Sequence, residues 1–94
     1  MAEDFAGARV YPNPFKPSLG HTYIKFDNLS YGTNIKVYTL SGDLVWEKEN
    51  VTASEVIWNA GVNTAGYKLA SGLYICLLTN DVGDKRILKL VILR

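Results

Sequence analysis

Side chains that could do chemistry are few and widely spaced in this 94-residue sequence. Nucleophilic catalysis requires a nucleophile, a base and a group that orients the base. The single histidine, His21, stands in a turn at a predicted strand start with no acid predicted beside it, and the single cysteine, Cys76, lies within an apolar run. We expect a solvated loop histidine and a packed cysteine that behaves as a small hydrophobe. No residue is therefore a candidate for catalysis, and we predict that the domain is not an enzyme.

Acidic residues and glycines also lack the spacing of a ligand site. Asp81 and Asp84 flank a predicted hairpin loop, but calcium needs a cage of about six to eight oxygen ligands, more than two carboxylates supply. Gly61, Gly66 and Gly72 lead into a predicted strand, whereas a phosphate-binding loop follows a strand and opens a helix. Turns account for all five residues. We therefore expect no metal site and no bound cofactor.

The charge balance excludes several classes of partner. Ten lysines and arginines stand against nine acidic residues, for a net charge of +1, and like charges form no run. Nucleic acids and acidic membrane surfaces are bound through clustered positive charge, so we expect neither as a partner. No apolar stretch reaches the roughly 18 residues of a membrane-spanning helix, and we predict no membrane span.

The first seven residues contain neither the basic nor the apolar region of a secretory signal. We expect residues 1–7 to be a flexible start or added residues, and residues 1–94 to form a single module, because a chain of this length builds one core. Two origins agree with such a start. The chain is either a cytosolic protein or a module of a larger exported protein, and motifs further along the chain favour the second.

Alternating apolar and polar residues predict seven short strands, at residues 8–11, 22–29, 34–40, 44–47, 55–59, 72–79 and 86–93. The best helical window, residues 44–58, has polar residues at most of the positions that a buried helix face requires. Seven strands in about 90 residues predict an all-β fold, a two-layer antiparallel immunoglobulin-like β-sandwich. The two longest apolar strands, through Leu77 and Leu90, are expected to be central. The expected core is Ile24, Phe26, Ile35, Val37, Trp58, Tyr74 and Leu90.

The direction of the Trp46 side chain depends on the turn that follows Leu40. An even number of loop residues would place Trp46 on the same face as Val37, in the core. An odd number would pair Val37 with Val45 and point Trp46 outward, because a shift of one residue reverses every side chain. We favour the odd loop, with Gly42 at positive φ in a bulge.

Four segments, in order along nearly the whole chain, resemble one bacterial superfamily. They are residues 10–15, 35–45, 58–74 and 89–94. Together they are similar to the type A C-terminal sorting domains of the type IX secretion system of Bacteroidetes, and to the immunoglobulin-like module of the flagellar hook-capping protein. Ala60 departs from the family pattern as an insertion. The motif residues, which we expect to shape turns and packing, are Tyr11, Pro12, Asn13, Pro14, Phe15, Gly42, Trp58, Gly66, Gly72 and Tyr74.

Five of these positions have an expected structural role of their own. Pro12 and Pro14 should hold Asn13 in a rigid turn that docks Phe15 on the sandwich. Tyr74 stands where its hydroxyl could cap the connection before its strand, as in a tyrosine corner.

The resemblance implies a non-catalytic domain at the end of a secreted protein that also carries a catalytic domain. The outer-membrane secretion machinery would recognise the domain, and a sortase-like protease would remove it as the cargo is attached to surface lipopolysaccharide. Its location would be secreted or at the cell surface. The expected recognition residues end the chain: Lys89, Leu90, Val91, Ile92, Leu93 and Arg94.

Within that segment, Leu90 and Ile92 are expected to complete a strand, whereas Lys89 and Arg94 are expected to stay solvated and available to an acidic partner. The open edge of such a strand presents unpaired N–H and C=O groups that a partner strand can bind.

Two other functions remain open. One is a structural immunoglobulin-like accessory or spacer domain in a multidomain secreted enzyme or a flagellar component. The other is a carbohydrate-binding module in which Tyr23, Tyr38 and Trp46 stack on sugar rings. Packing between strands is the commoner use of aromatic residues in a sheet, which disfavours the sugar-binding alternative.

Overall fold

Seven strands form two antiparallel sheets in the computed structural model, which describes residues 1–59 and 61–94. The strands are β1 (Arg9–Tyr11), β2 (Tyr23–Asp27), β3 (Thr33–Thr39), β4 (Leu44–Val51), β5 (Val56–Asn59), β6 (Gly72–Thr79) and β7 (Lys85–Ile92), with one 3-10 turn at Pro17–Leu19. One sheet has the order β1-β2-β5 and the other β4-β3-β6-β7. The predicted all-β sandwich is therefore confirmed. The predicted insertion at Ala60 lies outside the described residues.

The core lies between the two sheets and is built from alternate residues of the inner strands. In β2 and β3, for example, every second side chain is buried, as a two-residue period requires when only one face of a sheet is covered. Burying this apolar surface is the main term that stabilises the fold. All seven residues of the expected core are buried, namely Ile24, Phe26, Ile35, Val37, Trp58, Tyr74 and Leu90.

The predicted position of the last strand is wrong. β6 is central, between β3 and β7, but β7 is an edge strand of the four-stranded sheet. The apolar run of β7 suggested a strand covered on both faces, yet its outward side chains are not covered, and Ile87 is 55% exposed. Leu90 and Ile92 are buried because they lie on the inner face of β7, which faces the core.

Trp46 points into the core, which corrects the predicted outward direction. The loop is odd, since Tyr38 pairs with Leu44 across residues 39–43, and Gly42 has the expected positive φ of 94°. A bulge then inserts Val45 into β4, so that Val37 faces Trp46 instead. One extra residue on one strand reverses the alternation of the residues after it. The Trp46 ring consequently stacks on that of Trp58, with ring centroids 4.6 Å apart.

The start of the chain is packed against the sandwich. Phe5 is only 3% exposed and belongs to the core. The guanidinium of Arg86 donates hydrogen bonds from Nη1 to the carbonyls of Phe5 (2.8 Å) and Ala6 (2.7 Å). The expectation of a flexible start over residues 1–7 is therefore wrong for this stretch, because β7 holds it through contacts that no local pattern indicates.

Candidate recognition site

The proline-rich turn and the last strand, which are far apart in the sequence, meet at the outer edge of β7. The Asn13 side chain donates from Nδ2 to the carbonyl of Lys89 (2.7 Å) and accepts at Oδ1 from the N–H of Val91 (2.9 Å). The backbone continues the pattern: the Phe15 N–H donates to the carbonyl of Val91 (2.8 Å), and the Leu93 N–H donates to the carbonyl of Phe15 (2.9 Å). We call residues 13–15 the edge clasp.

The edge clasp changes how a partner could use β7. Backbone groups of alternate residues point to opposite sides of a strand, so Val91 and Leu93, which bind the clasp, mark the side away from β6. Because these groups already have partners, a partner strand cannot pair with residues 89–93 while the clasp is in place. The expected open edge at the terminal segment is therefore wrong for this stretch. The uncovered part of the outer edge lies at the other end of β7, around Ile87.

Only part of the predicted recognition segment is accessible at the surface. Leu90 and Ile92 are fully buried in the core. Lys89 is exposed and Val91 is half-buried on the outer face of the sheet, and Leu93 is 41% exposed just beyond the strand end. The accessible residues are therefore Lys89, Val91 and Leu93, together with Arg94, which is exposed as well.

Arg94 is exposed, as predicted, but its guanidinium is also tied to the domain, which the prediction of a freely solvated charge did not include. Its guanidinium donates from Nε to the carbonyl of Leu69 (2.5 Å) and from Nη2 to the carbonyl of Gly61 (3.0 Å). The guanidinium carbon also lies 5.9 Å from the centre of the Phe15 ring, within the range of a cation–π contact. Arg94 thus joins the edge clasp to the connection before β6. The sequence did not indicate this role of Arg94, because its hydrogen-bond partners are backbone carbonyls, which every residue type carries.

Several family-motif residues fix that connection. The Tyr74 hydroxyl donates to the carbonyl of Ala70 (2.8 Å), the contact expected of a tyrosine corner. The indole N–H of Trp58 donates to the carbonyl of Val62 (2.8 Å). Gly66 has a φ of 89°, which favours glycine. Nothing in the structure explains the glycine at position 72.

Within the proline-rich turn, the Tyr11–Pro12 and Asn13–Pro14 peptide bonds are cis. Phe15 is 1% exposed, as expected for a residue docked on the sandwich. His21, expected to be solvated, instead supports this region, since its Nδ1 accepts from the N–H of Lys16 (2.9 Å) and its ring lies near that of Phe15. This role has no sequence signal, because the hydrogen bond joins two loop positions.

The three aromatic residues considered for sugar stacking do not share a surface. Tyr23 is 44% exposed on the outer face of the three-stranded sheet. Tyr38 lies on the outer face of the other sheet, opposite Ile75. Trp46 lies between the sheets, against Trp58. No common platform is formed, and the sugar-binding alternative loses its basis.

Reactive groups in the described part of the chain are isolated. Over residues 1–59 and 61–94, no group of three or more His, Cys, Asp or Glu side chains could hold a metal ion. Cys76 is fully buried, and loss of hydration raises the pKa of its thiol to about 12. Across the same residues, no helix is both long enough and apolar enough to cross a bilayer.

The outer face of the three-stranded sheet carries ion pairs. Arg9 binds Asp27 (2.6 Å), and Lys25 binds Glu55 (2.9 Å). The hydrogen bonds from Arg9 lower the pKa of the Asp27 carboxyl, and the Tyr11 hydroxyl adds a further hydrogen bond (3.2 Å). Charges on this face are therefore neutralised within the domain.

Comparisons with known proteins agree with this geometry. No curated protein matches the chain. A solved structure of PorZ, described as an essential bacterial surface component of the type IX secretion system of Porphyromonas gingivalis, contains a similar domain with 29% sequence identity and a TM-score of 0.82. The match covers 99% of this chain but 12% of the PorZ chain. The sequence model of the secretion system C-terminal sorting domain matches residues 9–93. With β1 to β7 inside that match, the chain belongs to the family of secretion system C-terminal sorting domains.

Proposed function

We propose that this domain directs the protein that carries it across the outer membrane through the type IX secretion machinery and onto the cell surface. The observation that carries the proposal is the family match over residues 9–93. The similarity to a domain of PorZ, itself a surface component of that system, supports it. The domain acts as a folded signal and does no chemistry itself. A sortase-like protease removes it once the cargo has crossed.

The arrangement of residues 89–94 supports a division of roles within the signal. Leu90 and Ile92 are in the core and Arg94 holds the connection before β6, so these residues maintain the folded form that the machinery meets. Lys89, Val91 and Leu93 have outward side chains and are the part that a partner contacts. Recognition therefore depends on a folded surface and not on an extended tail.

The test is export of a reporter in a host that has type IX secretion. A periplasmic reporter fused to the N-terminal side of this domain should appear outside the outer membrane, whereas the reporter alone should stay in the periplasm. If the protease acts, the exported reporter is smaller than the fusion by the mass of the domain, 10.4 kDa. Mass spectrometry of the exported protein therefore detects removal of the domain separately from export.

Deleting residues 89–94 would be a poor control, because it removes Leu90, Ile92 and the Arg94 contacts and would unfold the sandwich. The informative control is a folded fusion, shown by its cooperative thermal transition. If that folded, intact fusion is retained in the periplasm, the sorting proposal fails and a structural spacer domain is the better assignment.

A further inference from the structure

The outer face of the four-stranded sheet carries an apolar surface in its centre. Leu73, Ile75 and Leu77 alternate along β6 with buried residues, so their side chains point away from the core. The strand register then sets apolar residues of β3 and β7 beside them. The resulting surface consists of Tyr38, Leu73, Ile75, Leu77, Ile87 and Val91.

None of the described strands packs across this surface, because the three-stranded sheet covers the opposite face. Antiparallel sheets with one solvated face normally carry polar residues there. β6 lacks that alternation and is apolar on both sides, and Ile87 beside it is 55% exposed. The other five residues of the surface are half-buried. A contiguous apolar surface that solvent reaches is typical of an interaction site on a small domain.

Positive charge surrounds the apolar centre. Lys89 lies opposite Ile75, Lys85 opposite Thr79, and Lys36 opposite Leu77. Among the described residues these lysines form no ion pair, in contrast to Lys25 on the other outer face, which binds Glu55. The acidic residue Glu47 faces Lys36 from β4, so the charge that remains is positive.

We propose that this lysine-rimmed face, defined as the six apolar residues above with Lys36, Lys85 and Lys89, docks onto a component of the secretion machinery that presents apolar side chains ringed by carboxylates. The proposal rests on the proposed function and names the surface that would perform it. Charge complementarity selects an acidic protein partner. A second copy of the chain fits poorly, because two such faces would bring lysines together. The face also includes Lys89 and Val91, which are outward residues of the predicted sorting segment.

Two matched pairs of variants test the face in the reporter export assay. Ile87→Glu places a carboxylate on the face, and Ile57→Glu places one on the outer face of the three-stranded sheet, where Ile57 is 46% exposed. The double variant Lys85→Glu/Lys89→Glu reverses two rim charges, and Lys48→Glu/Lys68→Glu reverses two exposed charges elsewhere. We expect each face variant to lower export about tenfold or more, and each control to export as the wild type does.

Melting temperatures of the purified domains separate lost docking from lost folding. If Ile87→Glu does not fold, the lysine pair decides, because exposed charge changes on a strand rarely unfold a domain. If folded face variants are exported as well as the wild type, this proposal is wrong while the proposed function stands. If the wild-type fusion itself is retained, the proposed function fails and this proposal fails with it.

Two further measurements distinguish other occupants of the face. Cosedimentation with phosphatidylglycerol vesicles but not with phosphatidylcholine vesicles, lost in Lys85→Glu/Lys89→Glu, would assign the face to a lipid surface and overturn the proposal. Self-association of the wild-type domain in analytical ultracentrifugation, abolished by Ile87→Glu, would assign the face to a second copy of the chain. That result would also overturn the proposal. We expect a monomer that binds neither kind of vesicle.

Discussion

Asn13 binds the backbone of Val91, 78 residues later in the chain, in the place that a neighbouring strand would take. One amide side chain meets both kinds of backbone group on the edge of β7, since it also donates to the carbonyl of Lys89. Edge strands that stay open invite pairing with other chains. The edge clasp therefore protects the terminal strand and fixes its position at the same time.

Replacing Asn13 should destabilise the domain. Asn13→Ala removes two hydrogen bonds at a solvent-accessible edge, for which we expect a loss of about 1–2 kcal/mol in the free energy of unfolding. Asn13→Asp keeps the acceptor for Val91 but sets a carboxylate oxygen against the Lys89 carbonyl, so it should cost at least as much as Asn13→Ala. Urea unfolding measures both. The matched control is Asn59→Ala at an exposed position of β5, which should change stability by less than about 0.5 kcal/mol; equal losses at the two sites would contradict the clasp.

Cys76 should react slowly with thiol reagents in the native domain. The thiolate is the reactive form, and burial raises the pKa of this thiol to about 12, so both access and ionisation oppose the reaction. Labelling with a disulfide reagent should therefore follow unfolding and accelerate when urea is added. Rapid labelling at neutral pH without denaturant would show that β6 opens or that the side chain is not packed as described.

Trp46 should contribute to stability as a core residue does. It stacks on Trp58 at 4.6 Å and lies 6.2 Å from the Phe26 ring centre. Trp46→Ala should cost about 2–4 kcal/mol, because it removes a large side chain from between the sheets. Tyr23→Ala, an exposed aromatic on the three-stranded sheet, is the control and should cost far less. Similar losses of stability for the two variants would show that Trp46 is a surface residue.

The sequence predicted the strands and most of the core because alternation and turn residues are local signals. Ile24 and Phe26 needed only the two-residue period of β2 to be placed inside. Trp46 was misplaced because one bulged residue, Val45, reverses the direction of the side chains after it, and bulges have weak sequence signals. The edge position of β7 depends on which strands become neighbours, which no single segment determines.

The contacts around the candidate recognition site were predicted less well than the fold. Asn13 and Lys89 were both singled out, but their contact joins residues 76 apart, and nothing in either segment indicates it. Arg94 was assigned to a partner as a solvated charge, and its hydrogen bonds to the carbonyls of Leu69 and Gly61 have no signal in the sequence. The lysine-rimmed face was not predicted, for a related reason. The apolar run of β6 indicates a strand buried on both faces, and the sequence does not show whether any other part of the protein covers the outer face.

Acid should weaken the domain through Asp27. Arg9 hydrogen bonds lower the pKa of this carboxyl below its ordinary value of 3.8. A carboxyl with a lowered folded pKa contributes stability that is complete above its unfolded pKa and is lost as the pH falls through the folded pKa. The free energy of unfolding should therefore decline below about pH 4, and decline less steeply in Asp27→Asn. Parallel pH profiles for the two proteins, measured by urea unfolding, would show that the ion pair contributes nothing.

Arg94 should act on export only through folding. Its guanidinium binds the carbonyls of Leu69 and Gly61 and lies over the Phe15 ring. Arg94→Lys keeps the charge but not the forked geometry of these donors, and we expect it to cost about 1–2 kcal/mol, with Arg94→Glu costing more because a carboxylate would face carbonyl oxygens. Urea unfolding of each variant gives these values, with Lys89→Ala as the exposed control.

The same variants, fused to the reporter, show whether a partner contacts Arg94 directly. If the residue serves the fold alone, export by Arg94→Lys and Arg94→Glu should fall in proportion to the folded fraction at the growth temperature, and lowering that temperature should restore it. Lys85→Glu/Lys89→Glu should behave in the opposite way, with export lost while the domain stays folded at every temperature. Loss of export in Arg94→Glu at wild-type stability would place Arg94 in the contact with the machinery and refute its assignment to the fold.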